Sequence, residues 1–345
     1  MNEFENGLEK KWDYEENVPF DSEVLVEKIK SFLKPEDTLI FYGGEPLMMM
    51  EKIKKIMDSV NSHFMIQSNG MLLDKLPTEY LLKLDKMLLS IDGNRERTNF
   101  NRGKFNHEIL LKNIKDARNR GYKGEIVARM TLSFPDIFDQ VHYLTALIDS
   151  GLIDSVHWQI DAGFYKNDFD EEKFSKFVND YNNQIDKLID YWLREMGTGR
   201  VLMYYPFVGI FNDILHKTTT RLRCGSGYEN YTISTSGKLS ACPIMNSIKN
   251  FYCGSLEEGI KKEIHIEDDA CLKCDYFDLC GGRCLYWKRA KLWPKVGDDL
   301  ICKTIKHLID KLKEIEPEIK KLIDEGKIKE KDFDYEKYFG PEIIP

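Results

Sequence analysis

Seven of the eight cysteines fall in one spacing: Cys224-x12-Gly237-x4-Cys242, then Cys271-x2-Cys274-x5-Cys280-x3-Cys284, then Cys302. The chain before Cys224 has none. Core or surface cysteines have no reason to recur at two, five and three residues. Thiolates that converge on one iron-sulfur cage need such short loops between them. Tetrahedral zinc is the competing reading, because Cys271 to Cys284 alone fits a small zinc knuckle. Cys302 and the Cys224-Gly237-Cys242 hairpin extend the pattern past a knuckle and favour clusters. A disulfide framework is disfavoured by the intracellular reading below. Cys253 lies outside the pattern and reads as a buried structural thiol.

The 345 residues suffice for two domains. A formal charge of -8 argues against a nucleic-acid partner, which needs a basic stripe. No apolar run reaches membrane-span length, and Met1 to Glu16 has no signal-peptide core. The expectation is a cytoplasmic protein with neither nucleic-acid nor membrane partner. Clustered cysteines there are more often metal ligands than disulfides. Abundant Lys, Glu and Ile hint at a thermophilic source.

The first half alternates between two periods. Apolar runs at Asp37–Tyr42, His63–Gln67, Lys86–Asp92, Gly124–Leu132 and Asp154–Ile160 read as buried strands. Helical patterns are expected at Ser22–Leu33, Met49–Asn61, Pro77–Leu84, Glu108–Gly121 and Asp136–Gly151. Such alternation predicts an α/β fold with parallel strands, an open or closed barrel, and polar motifs at the strands' C-terminal ends.

Those ends carry recurring polar segments. Gly43-Gly44-Glu45-Pro46 offers two glycines for close backbone approach, a carboxylate for a cationic group, and a proline that stiffens the exit. Gln67-Ser68-Asn69-Gly70 ends the next run and Ser90-Ile91-Asp92-Gly93 the one after; Arg102 and Arg129 follow.

Taken together, these segments resemble the radical S-adenosylmethionine (SAM) enzymes of the SPASM group. Phe41 to Leu47 is similar to the glycine-rich motif that binds the methionine amino group, Gln67 to Leu73 to the third-strand segment, and Ser90-x-Asp92-Gly93 to the ribose-side segment. Arg102 stands where the family often has a SAM-contacting arginine; Arg129 is a looser match. The resemblance implies that Gly43, Gly44, Glu45, Pro46, Asn69, Ser90, Asp92 and Arg102 bind SAM. The cysteine spacing equals the SPASM pattern at every interval. It implies two auxiliary [4Fe-4S] clusters, one held by Cys271, Cys274, Cys280 and Cys302, the other by Cys224, Cys242 and Cys284. Cys253 either completes the second cluster or leaves one iron open.

This chain lacks the family's Cys-x3-Cys-x2-Cys loop, which holds the third, SAM-binding cluster. Met1 is therefore expected to be internal to a longer protein, the alternative being a member that cannot make the radical. The fold implied is a partial (β/α)6-type barrel lacking its first strand over residues 1–200, a bridge over 201–223, a SPASM domain over 224–305, and a helix and tail over 306–345. The activity implied is modification of a peptide or protein by a 5'-deoxyadenosyl radical, with an electron donor such as ferredoxin or flavodoxin. Two readings stand beside it: a non-catalytic iron-sulfur or electron-transfer protein, and sulfatase maturation. The latter group carries a catalytic aspartate after the cysteine matching Cys242, where this chain has Pro243.

The remaining candidates take plain readings. His107, His142, His157, His265 and His307 form no pair at metal spacing. Met48 to Met50 read as core or barrel-mouth packing, and Tyr204, Tyr205 and Phe207 as core. Lys311 to Lys331 reads as a solvated helix. Asp161 is expected near the barrel mouth, without a role as a base.

Overall fold

In the computed structural model, which describes residues 12–16, 25–161 and 168–339, the five apolar runs become β1 (Thr38–Phe41), β2 (His63–Ser68), β3 (Lys86–Ser90), β4 (Glu125–Leu132) and β5 (Ser155–Ile160). They form one parallel sheet in chain order. Each crossover carries helix: α1 (Leu25–Phe32) precedes β1, then come α2 (Met50–Ser59), α3 (Thr78–Leu81), α4 (Arg95–Arg102), α5 (Asn106–Asn119) and α6 (Ile137–Asp149). The expected start before Trp12, the N-terminal turns of the Ser22–Leu33 helix and the end of the tail lie outside the described residues.

Period-two alternation divides the sheet into two faces. Phe41, Phe64, Ile66, Met87, Leu89, Ile126, Ala128, Met130, Val156, Trp158 and Ile160 join the main core under the helices. Met65, Leu88 and Val127, with half-buried Ile40, pack on the opposite face against Tyr205 and Phe339. Below them, at the strands' N-terminal ends, Lys86 Nζ lies 2.9 Å from Glu125 and 3.1 Å from Glu336. Ser155 and the Tyr205 hydroxyl donate to Glu125 at 2.6 and 2.5 Å. Phe339 sits 3.8 Å beneath the Lys86 ammonium and 5.0 Å from the Tyr205 ring. The concave face is thus closed below by residues late in the chain.

Beyond β5 the chain forms α7 (Glu171–Gly197) and α8 (Tyr205–His216), so the segment expected as a bridge contains a core helix. On α7, Val178, Tyr181, Ile185, Leu188, Ile189, Trp192 and Met196 make a buried stripe. A later helix, Lys295–Asp324, buries Ile301, Ile305, Leu308, Ile309, Leu312, Ile315 and Ile319 on one side. It is a core element, which corrects the solvated-helix reading of Lys311 onward: the charges line only its outer side. Tyr204, Tyr205 and Phe207 are buried as expected. The methionines are not, for Met48 is 75% exposed and only Met50 packs on the core.

Residues 224–290 build a second, smaller core around Met245, Phe251, Cys253, Leu285 and Tyr286. Its sheet is antiparallel, ordered β6 (Thr232–Ile233), β7 (Lys238–Ser240), β8 (Tyr252–Ser255) and β9 (Gly259–Ile260). Trp12 to Glu16, far earlier in the chain, lies on this unit. Tyr14 bridges Ile248 antiparallel, Asp13 pairs with Lys249 at 2.9 Å, and the Trp12 ring meets Phe251 at 5.2 Å. Among the described residues no helix is long and apolar enough to cross a membrane.

The stripe on the last long helix gives a direct test. Leu308→Ala should cost about 2–5 kcal/mol in urea unfolding, whereas Glu318→Ala, on its exposed side, should stay within about 0.5 kcal/mol.

Candidate functional site

The upper concave face follows from the register. Ile40, Met65, Leu88 and Val127 share one face, so two residues further along each strand the same face presents Tyr42, Gln67, Ser90 and Arg129. Gln159 joins them from β5: the Arg129 guanidinium donates to its side-chain oxygen at 3.0 Å. The face is therefore apolar in the middle and polar at the strands' C-terminal ends, where parallel α/β folds place ligands.

Above this layer the loops are tied in pairs. Glu45 was expected to meet a cationic group. Instead one of its oxygens accepts from the Ser68 hydroxyl at 2.8 Å and from Leu47 N–H at 3.0 Å, and the other accepts from Asn69 N–H at 2.8 Å. It locks the loop after β1 to the loop after β2. Pro46 opens the short 3-10 turn that follows. Gly43 has φ +153, and a Cβ at Gly43 or Gly44 would meet nothing within 4 Å, so the glycine turn faces open space. Asn69 turns its side-chain oxygen onto Met71 N–H at 2.9 Å.

The second tie is ionic. Asp92 is 1% exposed and receives Arg102 in two bonds, Nε at 2.7 Å and an Nη at 2.8 Å. Thr131 N–H completes the carboxylate's shell at 2.8 Å, and Arg102 also reaches the Thr131 hydroxyl at 3.2 Å. This geometry fixes the guanidinium plane over the ends of β3 and β4. Arg129 has no carboxylate partner among the described residues, and its buried Nε is unsatisfied. Burial pushes its pKa down, and the neighbouring Arg102 acts the same way. A half-buried guanidinium with a buried, spare Nε donor suits a ligand carboxylate. Asp161 sits at the rim, its carboxyl pushed up by burial and by Asp168.

The cysteines gather in the second unit. Cys271 ends in a turn that brings Cys274 N–H onto its carbonyl at 3.0 Å; Cys280 closes the short helix Phe277–Cys280. The helix Lys295–Asp324 delivers Cys302. The thiols of Cys271, Cys280 and Cys302 feel one another's charge, and Cys242 and Cys284 do likewise. Burial is the main cause that raises the thiols of Cys242, Cys271, Cys280 and Cys302, to about 12 at Cys242 and about 11 at Cys302. Cys253 is fully buried in β8 with its thiol toward Phe251 O, and burial raises it to about 11.

Two observations test what these sulfurs fit. A single zinc ion needs its thiolates about 2.3 Å from one point, and among the described residues no three His, Cys, Asp or Glu side chains converge that way. Polar hydrogens lie near the sulfurs and favour their thiolates: Ile244 and Met245 N–H beside Cys242, Gly282 and Arg283 N–H beside Cys280, and the Lys288 ammonium beside Cys271. Donors aimed at sulfur are what anionic cluster thiolates require. Gly281 is obligatory here: at φ +69, its Cβ would lie 2.8 Å from Leu222 N. Its carbonyl accepts from Leu222 N–H at 2.8 Å, which holds the Cys280 turn against the loop leading to Cys224.

The structure thus joins a five-stranded parallel sheet, with Gly43 and Gly44 open at its mouth, to a thiol-rich unit. Residues 9–148 match the family model of the radical SAM superfamily. Three curated relatives are distant. An uncharacterised protein of Archaeoglobus fulgidus is 22% identical over 266 residues, covering 72% of this chain and 62% of its own. The radical SAM cyclopropyl synthase TigE of Paramaledivibacter caminithermalis is 25% identical over 293 residues, 76% of this chain and 57% of its own. The chain thus spans less than two thirds of either. The cysteine-type anaerobic sulfatase-maturating enzyme of Clostridium perfringens is 22% identical over 335 residues, 84% of this chain and 85% of its own. The solved structure of native anSMEcpe with bound AdoMet aligns at TM-score 0.64 and 14% identity over 88% of this chain and 91% of that one, a likeness of fold.

Arg102→Met should cost about 3 kcal/mol of stability, because it strands the buried Asp92 carboxylate. Asp92→Asn in the same chain should recover part of the loss, a coupling read from a double-mutant cycle by urea denaturation. In the metal-free chain the raised thiols keep protons that the unfolded chain loses. Their stabilisation is full below pH 9, and each removes about 1.4 kcal/mol per unit as pH rises from 9 toward its folded value. Urea midpoints between pH 8 and 10.5 should fall accordingly.

Proposed function

We propose that this chain is the greater part of a SPASM-type radical SAM enzyme that modifies a peptide or protein. The observation that carries the reading is the cysteine spacing of the thiol-rich unit, joined in one chain to a parallel sheet whose mouth offers open glycines and a half-buried guanidinium with a spare Nε donor. SAM, bound beside a reduced cluster, supplies a 5'-deoxyadenosyl radical for hydrogen abstraction. The chain's own part is to hold and exclude. Gly43, Gly44, Pro46, Asn69 and Ser90 line the ligand's seat. Glu45 keeps two of its loops together, and Asp92 aims Arg102. Below, the Ile40-Met65-Leu88-Val127 layer bars water from the barrel floor.

Cys271, Cys274, Cys280 and Cys302 are proposed to hold one auxiliary [4Fe-4S] cluster, and Cys224, Cys242 and Cys284 the other. Cys253, turned toward Phe251 O, is left outside both. The family resemblance supports a third, SAM-binding cluster supplied by a longer form of the protein. A peptide partner is supported by the resemblance to peptide-modifying members, with ferredoxin or flavodoxin as the proposed donor and the cytoplasm as the proposed location. Sulfatase maturation is the second reading, favoured by the Clostridium perfringens relative and disfavoured by Pro243.

Protein isolated from its own source without oxygen should carry about twelve irons per chain, and SAM with dithionite should yield 5'-deoxyadenosine. About eight irons and no 5'-deoxyadenosine would favour the non-catalytic iron-sulfur reading instead.

A further inference from the structure

Four Lys or Arg residues are buried among the described residues: Lys86, Arg223, Arg283 and Lys288. Three of them surround the cysteines. Lys288 is held by both oxygens of Asp298 at 2.8 and 2.9 Å, and Arg223 by Asp213 at 2.6 Å. Arg283 differs. It is 7% exposed, its buried Nε has no partner, and no carboxylate pairs with it among the described residues. Its only ring neighbour is Trp287, 4.6 Å from the guanidinium carbon.

A guanidinium cannot shed its proton, so burial without a counter-charge is costly. The chain nevertheless accepts a left-handed backbone here, φ +63 at a non-glycine position, following Gly281 and Gly282 at +69 and +85. In the chain that turn stands between Cys280 of one set and Cys284 of the other. Its charge acts on Cys284 of one set, on Cys302 and Cys280 of the other, and on the more distant Asp298, which forms no ion pair with it. Lys288 acts on Cys271 and Cys302 of the latter set, and Arg223, already paired with Asp213, acts on Cys280 and precedes Cys224 in the chain.

We propose that Arg283 is the shared counter-charge of the two auxiliary clusters, a positioning residue whose fixed positive charge favours the reduced, more negative state of both. The inference rests on the cluster assignment above. It predicts that removing the charge makes both clusters harder to reduce, whereas removing Lys288 touches one.

The test is an EPR-monitored redox titration of the full-length protein, isolated without oxygen, as wild type, Arg283→Met, Arg283→Lys and Lys288→Met, with iron counted first. A wild-type protein without two auxiliary signals overturns the cluster assignment itself, whatever the variants do. With both present, Arg283→Met should lower the reduction equilibrium constant of each cluster about tenfold, which is 59 mV for a one-electron couple. Arg283→Lys should restore most of it, and Lys288→Met should shift one cluster only. Unchanged potentials in Arg283→Met, or a shift confined to one cluster, overturn the proposal. Should Arg283→Met fail to hold the clusters while Arg283→Lys loads fully, the counter-charge is supported; loss of clusters in both overturns it in favour of a packing role.

Discussion

The parallel register of five short strands governs everything at the barrel mouth. Because side chains alternate, pairing Phe41 with Ile66, Ser68 with Leu89 and Ser90 with Arg129 aligns residues of like character into layers. A slip of one residue on β4 would send Arg129 outward into the core under the helices and bring Ala128 or Met130 to the ligand side. The Asp92–Arg102 clasp and the Glu45 bridge then join loops that the strands have already brought together. Neither tie creates the site; each removes freedom from it.

The second unit obeys a different constraint. Here the backbone is mostly turns, and the small sheet contributes little core. Its cohesion comes from Met245, Phe251, Leu285 and Tyr286, from the clamp of Trp12 to Glu16, and from ion pairs that reach into the larger unit, such as Arg223 with Asp213 of α8. Buried cations around buried sulfurs would oppose folding if either were alone. Of the three cations, Lys288 and Arg223 are met by Asp298 and Asp213, which leaves Arg283 as the one without an ion pair among the described residues.

Much of this was legible in the chain. The five strands and most of their helices follow from period-two and period-3.6 patterns, and the cysteine spacing marked the thiol-rich unit directly. α7 was overlooked, although Val178, Tyr181, Ile185, Leu188, Trp192 and Met196 repeat at three and four residues and Asp170 caps the start; the interleaved Asn, Lys and Asp residues disguised the stripe. The last long helix was misread for the same reason: its charges are conspicuous, while its isoleucines are buried by a partner helix distant in sequence. Glu45 shows a further limit. A carboxylate after two glycines reads as a ligand group, and only the fold brings Ser68 and Asn69 within its reach. Arg283 had no local signal, because its burial and lack of a partner arise from contacts among segments far apart in the chain.

The floor of the barrel has a consequence for biosynthesis. β1 to β5 emerge early from the ribosome, yet the side chains that seal their lower ends, Tyr335, Glu336 and Phe339, emerge after the entire thiol-rich unit. Until then the Lys86 ammonium lacks two of its partners and the apolar layer above it stays wet. The barrel is therefore completed only once the cysteines are already available to the cell's cluster-loading machinery. Loading before closure would add the clusters to a still pliable chain, and anything fused just beyond Phe339 would bear on the barrel's closure at its far end.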